Sequence, residues 1–546
     1  MHNRSNVIYC SEKSRINMHF SGAMALCLIS SVMITSACRA SDPAPTVGFY
    51  KLDDQRVTGE TSVFTDEASF GGLSVLVTID TTGKVTSAKL LDNFSDLNPT
   101  PALTLVRSWA FRPQTFDGKP VNAIGRVSIT YQKRPIPADI NIPFPVGTPA
   151  DSAITLQRSA CYGSCPDYRV TVHGDGLVEF DTGDDHFKGT AAEVHLQYSG
   201  HNVLLHGRHT AHIDPTAVAG LFDKFRAAHF FGLRKEYVYG ATDASTQILT
   251  VSIGKTSKTV TDYIGTEAGM PEEVRALEEA VDAVAGTARW VDGNAQTLEE
   301  LDATHFDYHS RDGALLAGAA AAKFNNYRPV AGVESLLIGL VSRGVQLDAK
   351  VGKESLGAAL IWAAAGQGSE ALFDTLAKSG ALASISRASL NAAFSNVGCS
   401  PKIAQALVKA GADPRTVGEH GTALTALRGT SSTCEGDHDK MVDMARTLIK
   451  LGVPLEARDG LGWTALMGCD SPDLAQLLLA NGADPKVRTK DGTTAVLSTD
   501  DDRVALILLR SGADPRAKNE NGSVRTQATK GNMPATLAWL DAHKIP

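Results

Sequence analysis

The sequence predicts a multidomain protein in which two small α+β domains are followed by an all-α solenoid of helical repeats. Three observations support this fold class. A length of 546 residues exceeds what one hydrophobic core usually supports. In the first half, runs of alternating apolar residues are interrupted by helical patterns. In the second half, a glycine-terminated helical pattern recurs.

The recurring pattern is a glycine that follows an apolar helical run, often within the tetrapeptide Gly-Ala-Asp-Pro. The glycines stand at positions 344, 380, 411, 452, 482 and 512, so the steps between them are 36, 31, 41, 30 and 30 residues. Glycine adopts the left-handed conformation just past a helix end most easily, and the proline prevents the helix from resuming. Each glycine is therefore predicted to end a helix.

Between these glycines, Thr-Ala-Leu or Thr-Ala-Val at 422–424, 464–466 and 494–496 is predicted to begin a short helix, and a longer Leu-rich helix follows. This order resembles the ankyrin repeat, with alanine replacing the proline of the family's T-P-L-H-x-A helix start. The resemblance implies about seven repeats over residues 297–546, with degenerate outer repeats. The predicted fold class is thus two small α+β domains followed by an all-α ankyrin-repeat solenoid.

Residues 1–38 have the layout of a secretory signal peptide. Basic residues precede an apolar run at 22–34, and small residues at 35–37 precede Cys38. The Ser-Ala-Cys end resembles the lipobox of bacterial lipoproteins, which implies lipidation of Cys38. Cleavage after Ala37 or Ala40 without a lipid is the alternative. In both cases we expect export to the periplasm, with an outer-membrane anchor if Cys38 is lipidated.

The first globular segment is predicted over residues 60–133. An alternating hairpin at 73–79 and 85–91, a helix at 99–110 and a strand at 121–131 give the order β-β-α-β. Trp-Ala-Phe-Arg-Pro at 109–113, followed by Phe-Asp-Gly-Lys-Pro-Val, resembles the C-terminal domain of TonB-type energy transducers. The resemblance implies an interaction module. A spacer and a coupling helix like those of transducers do not precede residue 60.

A Pro-rich linker at 134–151 is predicted to separate this segment from a second α+β domain at 152–292. That domain contains Cys161-Tyr-Gly-Ser-Cys165-Pro-Asp-Tyr. Together with a late helix and Trp290, the motif resembles an uncharacterised bacterial domain family of exported proteins. The resemblance implies no chemistry.

Cys161 and Cys165 admit three interpretations. A structural disulfide fits a glycine-containing loop in an oxidising compartment. A redox pair usually has two intervening residues rather than three, and a zinc site needs two further ligands. The disulfide is the favoured prediction, and no metal or cofactor is expected. Histidines at 206, 209 and 212 are predicted to lie on a solvated strand.

Two features of the repeats are predicted to matter for partners. Trp463 precedes a Thr-Ala-Leu helix start, where an exposed tryptophan would be a binding hot spot, although packing against a neighbouring loop is the alternative. The partner-contact candidates on the finger loops are Arg415, Arg458, Arg488 and Lys490.

The repeats also contain three cysteines, Cys399, Cys434 and Cys469, spaced 35 residues apart. Equivalent positions in neighbouring repeats stack, so a disulfide between neighbours is geometrically reasonable. Because Cys434 lies in a long insertion at 429–437, we predict that it pairs with Cys399.

The functional prediction is an exported, non-enzymatic protein–protein interaction protein of the bacterial cell envelope. The sequence contains no nucleophile elbow, phosphate-binding loop or HExxH motif. A net charge of -8 gives no reason to expect nucleic acid, and membrane contact is expected only through a lipid anchor. Two alternatives stay open: an enzyme, such as a thiol-redox protein, centred on Cys161 and Cys165, and a TonB-like partner of outer-membrane transport.

Overall fold

The computed structural model describes residues 44–66, 71–94, 97–183, 202–325, 331–418, 421–427, 434 and 437–546. The predicted signal peptide, including Cys38, lies outside them. Residues 44–546 form one compact unit. None of the helices in the described part of the chain has the length and apolar character needed to span a bilayer.

The N-terminal sheet segment, residues 44–133, is built on a six-stranded sheet. Four of its strands are hydrogen-bonded side by side in the order β1-β8-β4-β5, and β3 and β7 also pair with β8. Strands β2 and β6 form a separate two-stranded sheet. One short helix, α1, covers it. The bounds are β1 Thr46–Lys51, β2 Arg56–Thr58, β3 Ser62–Thr65, β4 Gly72–Ile79, β5 Val85–Asn93, α1 Thr100–Val106, β6 Ala110–Phe111, β7 Gln114–Phe116 and β8 Lys119–Lys133.

The middle segment, residues 152–292, is built on a seven-stranded sheet in the order β12-β11-β10-β9-β14-β15-β13. Its pairs are antiparallel except β13 with β15. The bounds are β9 Ser152–Arg158, β10 Tyr168–His173, β11 Leu177–Asp181, β12 Arg208–His212, α2 Pro215–Ala227, β13 Glu236–Val238, β14 Gln247–Ile253, β15 Thr256–Tyr263, α3 Glu272–Ala285 and α4 Ala288–Val291.

The helical array follows, from residue 295 to the last residue described. Serine or aspartate N-caps begin many of its helices. The bounds are α5 Ala295–Ala303, α6 Arg311–Phe324, α7 Val333–Ser342, β16 Lys350–Val351, β17 Glu354–Ser355, α8 Leu356–Gly366, α9 Glu370–Lys378, α10 Ala381–Ser384, α11 Arg387–Ser395, α12 Pro401–Lys409, α13 Ala423–Ala426, α14 His438–Lys450, α15 Pro472–Ala480, α16 Asp502–Arg510, β18 Lys518–Asn519, β19 Gly522–Ser523, α17 Val524–Lys530 and α18 Pro534–Ala542.

The predicted helix-stop glycines are confirmed. All six have a positive φ, between 84° and 111°. Only one of the three predicted short helices is an α-helix, the one that Thr422 caps. Residues 495–497 form a 3₁₀ turn, and residues 465–468 form a turn without a helix. These segments are too short to complete α-helical hydrogen bonding.

The predicted fold class is wrong. The N-terminal half is rich in β-sheet, including a half-barrel sheet, the C-terminal half is helical, and the described residues are 39% helix and 22% strand. The prediction overlooked strands β1 to β3, because they are short and lie where no long alternating pattern exists. The array is also not purely α-helical, since β16–β17 and β18–β19 form two-stranded hairpins within it.

Candidate partner-binding groove

The helical array contains a groove where helices α6, α8 and α11 lie side by side. Its volume is about 490 Å³. Small apolar residues and one tryptophan form most of its floor: Ala321, Ala358, Ala359, Trp362, Ala388 and Ala392. Because alanine side chains are short, another chain would come close to these helices and bury apolar surface against them.

Trp362 is the large side chain exposed in this groove. Helix α8 has an apolar residue at nearly every position, and eight of its residues are buried. Trp362 nevertheless retains 37% of its surface exposed. Tryptophan is enriched among residues that dominate binding energy at protein interfaces, because its ring buries a large area when a partner covers it.

Polar residues form the edge of the groove. Lys353 and Glu354 belong to the turn and second strand of the β16–β17 hairpin and are exposed. Glu354 Oε2 accepts a hydrogen bond from the Ser389 hydroxyl at 3.3 Å. This bond links the hairpin to α11 at the edge of the apolar floor.

The structure places Trp463 outside this groove. Its ring is partly buried and packs against the main hydrophobic core. Its backbone is held by a turn in which Trp463 N donates to Asp459 Oδ1 at 2.9 Å and Asp459 N donates to Trp463 O at 3.0 Å. This geometry fits packing of Trp463 within the array better than it fits an exposed binding hot spot. A role of Trp463 in partner binding stays a prediction.

The four predicted cations lie on the finger loops, and all are exposed. Arg458 Nη1 donates to the carbonyl oxygens of Gly462 and Arg488, at 2.9 and 3.0 Å. Arg488 forms an ion pair with Asp514 at 2.7 Å. These two arginines therefore connect neighbouring finger loops.

The structure brings both predicted cysteine pairs to disulfide distance. The Cα atoms of Cys161 and Cys165 are 5.4 Å apart, and those of Cys399 and Cys434 are 5.3 Å apart. Within the insertion at 429–437, residues 429–433 and 435–436 lie outside the described residues. Cys469 is a buried free thiol, and burial raises its pKa to about 12.

A second cavity, of about 350 Å³, lies beside the first disulfide. Its wall contains a polar network centred on the Asp282 carboxylate. Arg158 donates to Asp282 Oδ2 from Nε and Nη2, at 3.0 and 2.7 Å, and the Tyr168 and Thr287 hydroxyls donate to Oδ1. Burial and the nearby Asp282 raise the pKa of Tyr168. Because all these groups bind one another, the network connects β9 and β10 to α3.

One further buried carboxyl lies one helical turn before Asp282 on α3. Glu278 on α3 is 4% exposed. Burial, and next the neighbouring Asp262, raise its pKa to about 8, while Arg158 and Arg275 oppose the shift. Glu278 is therefore largely protonated at neutral pH.

Among the described residues, no group of three or more His, Cys, Asp or Glu side chains is placed to hold a metal ion. The predicted solvated histidine strand is present only in part: β12 contains His209 and His212, His206 lies before it, and the His209 side chain is largely buried. His209 Nδ1 lies 2.6 Å from Glu300 Oε1, and its ring stacks on Trp290. His209 thus takes part in the junction between the middle segment and the array.

The sequence interpretation overlooked Trp362. The available signal was a single tryptophan inside an otherwise Ala- and Leu-rich helix, where a bulky aromatic residue has little room. Periodicity identified the helix but could not show which of its faces stays uncovered.

The motif-bearing part of the middle segment has a family match. Residues 152–285 match the family model described as domain of unknown function (DUF6438). The matched region includes the Cys161–Cys165 loop and helix α3. A search of curated proteins found no match. The resemblances to ankyrin repeats and to the TonB C-terminal domain, and the domain boundaries drawn from them, stay predictions.

Proposed function

We propose that this chain is a non-enzymatic protein–protein interaction protein of the bacterial cell envelope, and that its helical array binds a partner protein in the groove between α6, α8 and α11. The observation that carries the proposal is Trp362, exposed on an otherwise buried helix at the floor of an apolar groove. An exposed apolar groove with a central tryptophan has the composition of an interface core.

The groove favours a partner segment that carries an apolar anchor. The alanine floor and the Trp362 ring match an aliphatic or aromatic side chain. Lys353 supplies a positive charge at the edge, while Glu354 is engaged with Ser389. Because Glu354 keeps its negative charge in that bond, the edge carries one charge of each sign, and we expect the apolar anchor to decide which segment binds.

The proposed location rests on the signal-like layout of residues 1–38. Lipidation of Cys38 would anchor the chain to the outer membrane, and cleavage without a lipid would leave it in the periplasm. The alternatives, an enzyme centred on Cys161 and Cys165 and a partner of outer-membrane transport, stay hypotheses. The Asp282 network gives neither of them support, because its donors and acceptors bind one another.

The test begins with a photo-crosslinking amino acid at position 362 of the full chain in intact cells. The matched control is the same amino acid at Leu461, which is apolar, 75% exposed and outside the groove. We expect a discrete crosslinked protein from position 362 that the control does not give.

The purified crosslinked protein is then titrated against wild type, Trp362→Ala and Leu461→Ala. We expect Trp362→Ala to weaken binding by about thirtyfold, as a central hot spot would, and Leu461→Ala to leave it unchanged. Equal affinities for all three proteins, with unchanged circular dichroism spectra, would rule out the groove as the binding site.

A further inference from the structure

The described chain has two hydrophobic cores. One belongs to the N-terminal sheet segment and extends from Val47 to Tyr131. The other runs without interruption through the middle segment and the array, from Ile154 to Ile545. The sheet segment therefore has its own core, whereas the middle segment and the array share theirs.

Helix α16 differs from the equivalent helices of other repeats at two positions. Six residues before the helix-stop glycine, three other repeats have an exposed polar residue: Gln405, Arg446 and Gln476. At this position α16 has Leu506, which is 3% exposed. Ten residues before the glycine, α12 and α15 have a proline, and α16 has Asp502, which is fully buried.

These two positions lie on one stripe of α16. Residues four apart in a helix lie on the same face, so Asp502, Leu506 and Arg510 form a row. Arg510 forms an ion pair with Asp117 of the sheet segment at 2.9 Å. At the other end of the row, Asp502 Oδ2 accepts a hydrogen bond from Gly48 N at 2.9 Å. Leu506 lies between these two contacts on the same stripe and is 3% exposed.

Asp502 joins three parts of the chain. Besides Gly48 on β1, it accepts bonds from Ala535 N at 2.8 Å and Thr536 N at 2.7 Å, at the start of α18. Next to it, the guanidinium of Arg503 lies 4.2 Å from the centre of the Phe49 ring. The carboxylate is thus surrounded by donors from both sides of the contact, which offsets part of the cost of burying it.

Gly48 is required for this close approach. A Cβ atom at this position would lie 2.6 Å from the Asn532 carbonyl oxygen and 3.1 Å from the Asp502 Cβ. Any side chain would therefore push β1 away from the end of the array.

The start of the linker is where the sheet segment could pivot. Farther along, the linker is fastened to the middle segment: Ile136 N donates to Gly269 O at 2.8 Å, and Asp139 N donates to Gly232 O at 2.9 Å. The Phe144 and Phe231 rings pack edge to face, with centroids 5.1 Å apart. The covalent connection between the two cores is therefore short and lies just after β8.

We propose that the contact between β1 and α16 is a latch, by which the N-terminal sheet segment docks on the end of the helical array and from which it is released as a folded unit. The separate core gives the sheet segment the means to stay folded when undocked. The buried Leu506 and Asp502 show that α16 is adapted to this cover rather than to solvent. The proposed latch does not depend on whether a partner binds in the groove.

Hydrogen–deuterium exchange of the full chain tests the latch with one variant on β1 and one on α16. Gly48→Ala disturbs the strand side without changing the array, and Leu506→Gln gives α16 the polar residue of other repeats. Gly220→Ala, where an added Cβ meets nothing within 4 Å, is the control. In both latch variants we expect the amide of residue 48, which donates to Asp502 in wild type, and amides of residues 502–510 to exchange at least tenfold faster than in wild type. Amides of β4 and α8 should keep their protection.

Two results would overturn the latch. Unchanged exchange of the residue 48 amide in both variants would show that the contact does not hold β1. Equal loss of protection in β4 and α8 would show that the contact belongs to one inseparable fold instead of joining two units.

Discussion

The indole N–H of Trp290 donates a hydrogen bond to Glu300 Oε2 at 2.6 Å, and this bond joins the end of the middle segment to the first helix of the array. The other oxygen, Oε1, lies 2.6 Å from His209 Nδ1 on β12. Trp290 is fully buried. Although burial opposes it, bonding to His209 and Trp290 lowers the pKa of Glu300, so the carboxylate is charged at neutral pH.

Replacing Glu300 should therefore weaken the junction. We expect Glu300→Ala to reduce the free energy of unfolding by about 1 to 3 kcal/mol, because it leaves a buried indole N–H without an acceptor. Denaturant unfolding followed by tryptophan fluorescence measures the change. Glu299→Ala, at the exposed neighbouring position, is the matched control and should have little effect. Equal losses in the two variants would show that the Trp290 bond is not what matters.

The buried Glu278 should make stability depend on pH. Its pKa rises from 4.5 to about 8 in the folded chain, so between these values the folded chain holds a proton that the unfolded chain releases. Its contribution is complete below about pH 4.5 and decreases as pH rises toward 8, by at most about 1.4 kcal/mol per pH unit.

Unfolding titrations at several pH values measure this slope. Glu278→Gln should flatten it, because the amide does not titrate, and Glu279→Gln on the exposed side of α3 should not. A slope that is unchanged in Glu278→Gln would assign the pH dependence to another group, such as Asp262, whose pKa is also raised by burial.

The two disulfides should contribute unequally. Cys399 and Cys434 are separated by 35 residues, and Cys161 and Cys165 by 4. Loop-closure entropy predicts stabilisation of about 4 kcal/mol for the first and about 2 kcal/mol for the second. Double Cys→Ser variants of each pair, unfolded in denaturant, give both values. If the short loop contributed more than the long one, the entropic explanation would fail here.

Cys469 should be inert while the chain is folded. It is 1% exposed, and burial raises its pKa to about 12, so almost no thiolate forms at neutral pH. In a chain beginning at residue 44, we expect no reaction with a thiol reagent under native conditions and one reactive thiol after denaturation. More than one thiol in the denatured chain would mean that a disulfide is absent.

Local signals in the sequence were sufficient for some parts of the fold. The helix-stop glycines are recognisable because a left-handed residue is a local requirement that glycine meets best. The Asp-Gly turn after β10 and the proline at the start of α2 can likewise be recognised from a few neighbouring residues. Pairing of Cys399 with Cys434 followed from the repeat period and the long insertion.

Other parts depend on distant residues and were not predictable in this way. Gly48 and Asp502 are 454 residues apart in the sequence, and neither carries a local pattern that names the other. Asp502 and Leu506 differ from the residues at the same positions of other repeats, and this difference can be recognised only when the repeats are aligned on their glycines. Likewise, the exposure of Trp362 depends on which helices line the groove, whereas Trp463 lies where a turn and the core enclose it.

The Gly48–Asp502 bond also gives the sheet segment a second, non-covalent connection to the rest of the chain, besides the linker. If the chain is tethered ahead of residue 44, tension from a bound partner has two routes to the tether while the latch holds, one through α16 and β1 and one through the middle segment and the linker. Once the latch opens, the same tension is carried by the linker and the middle segment, and the reach between tether and partner increases.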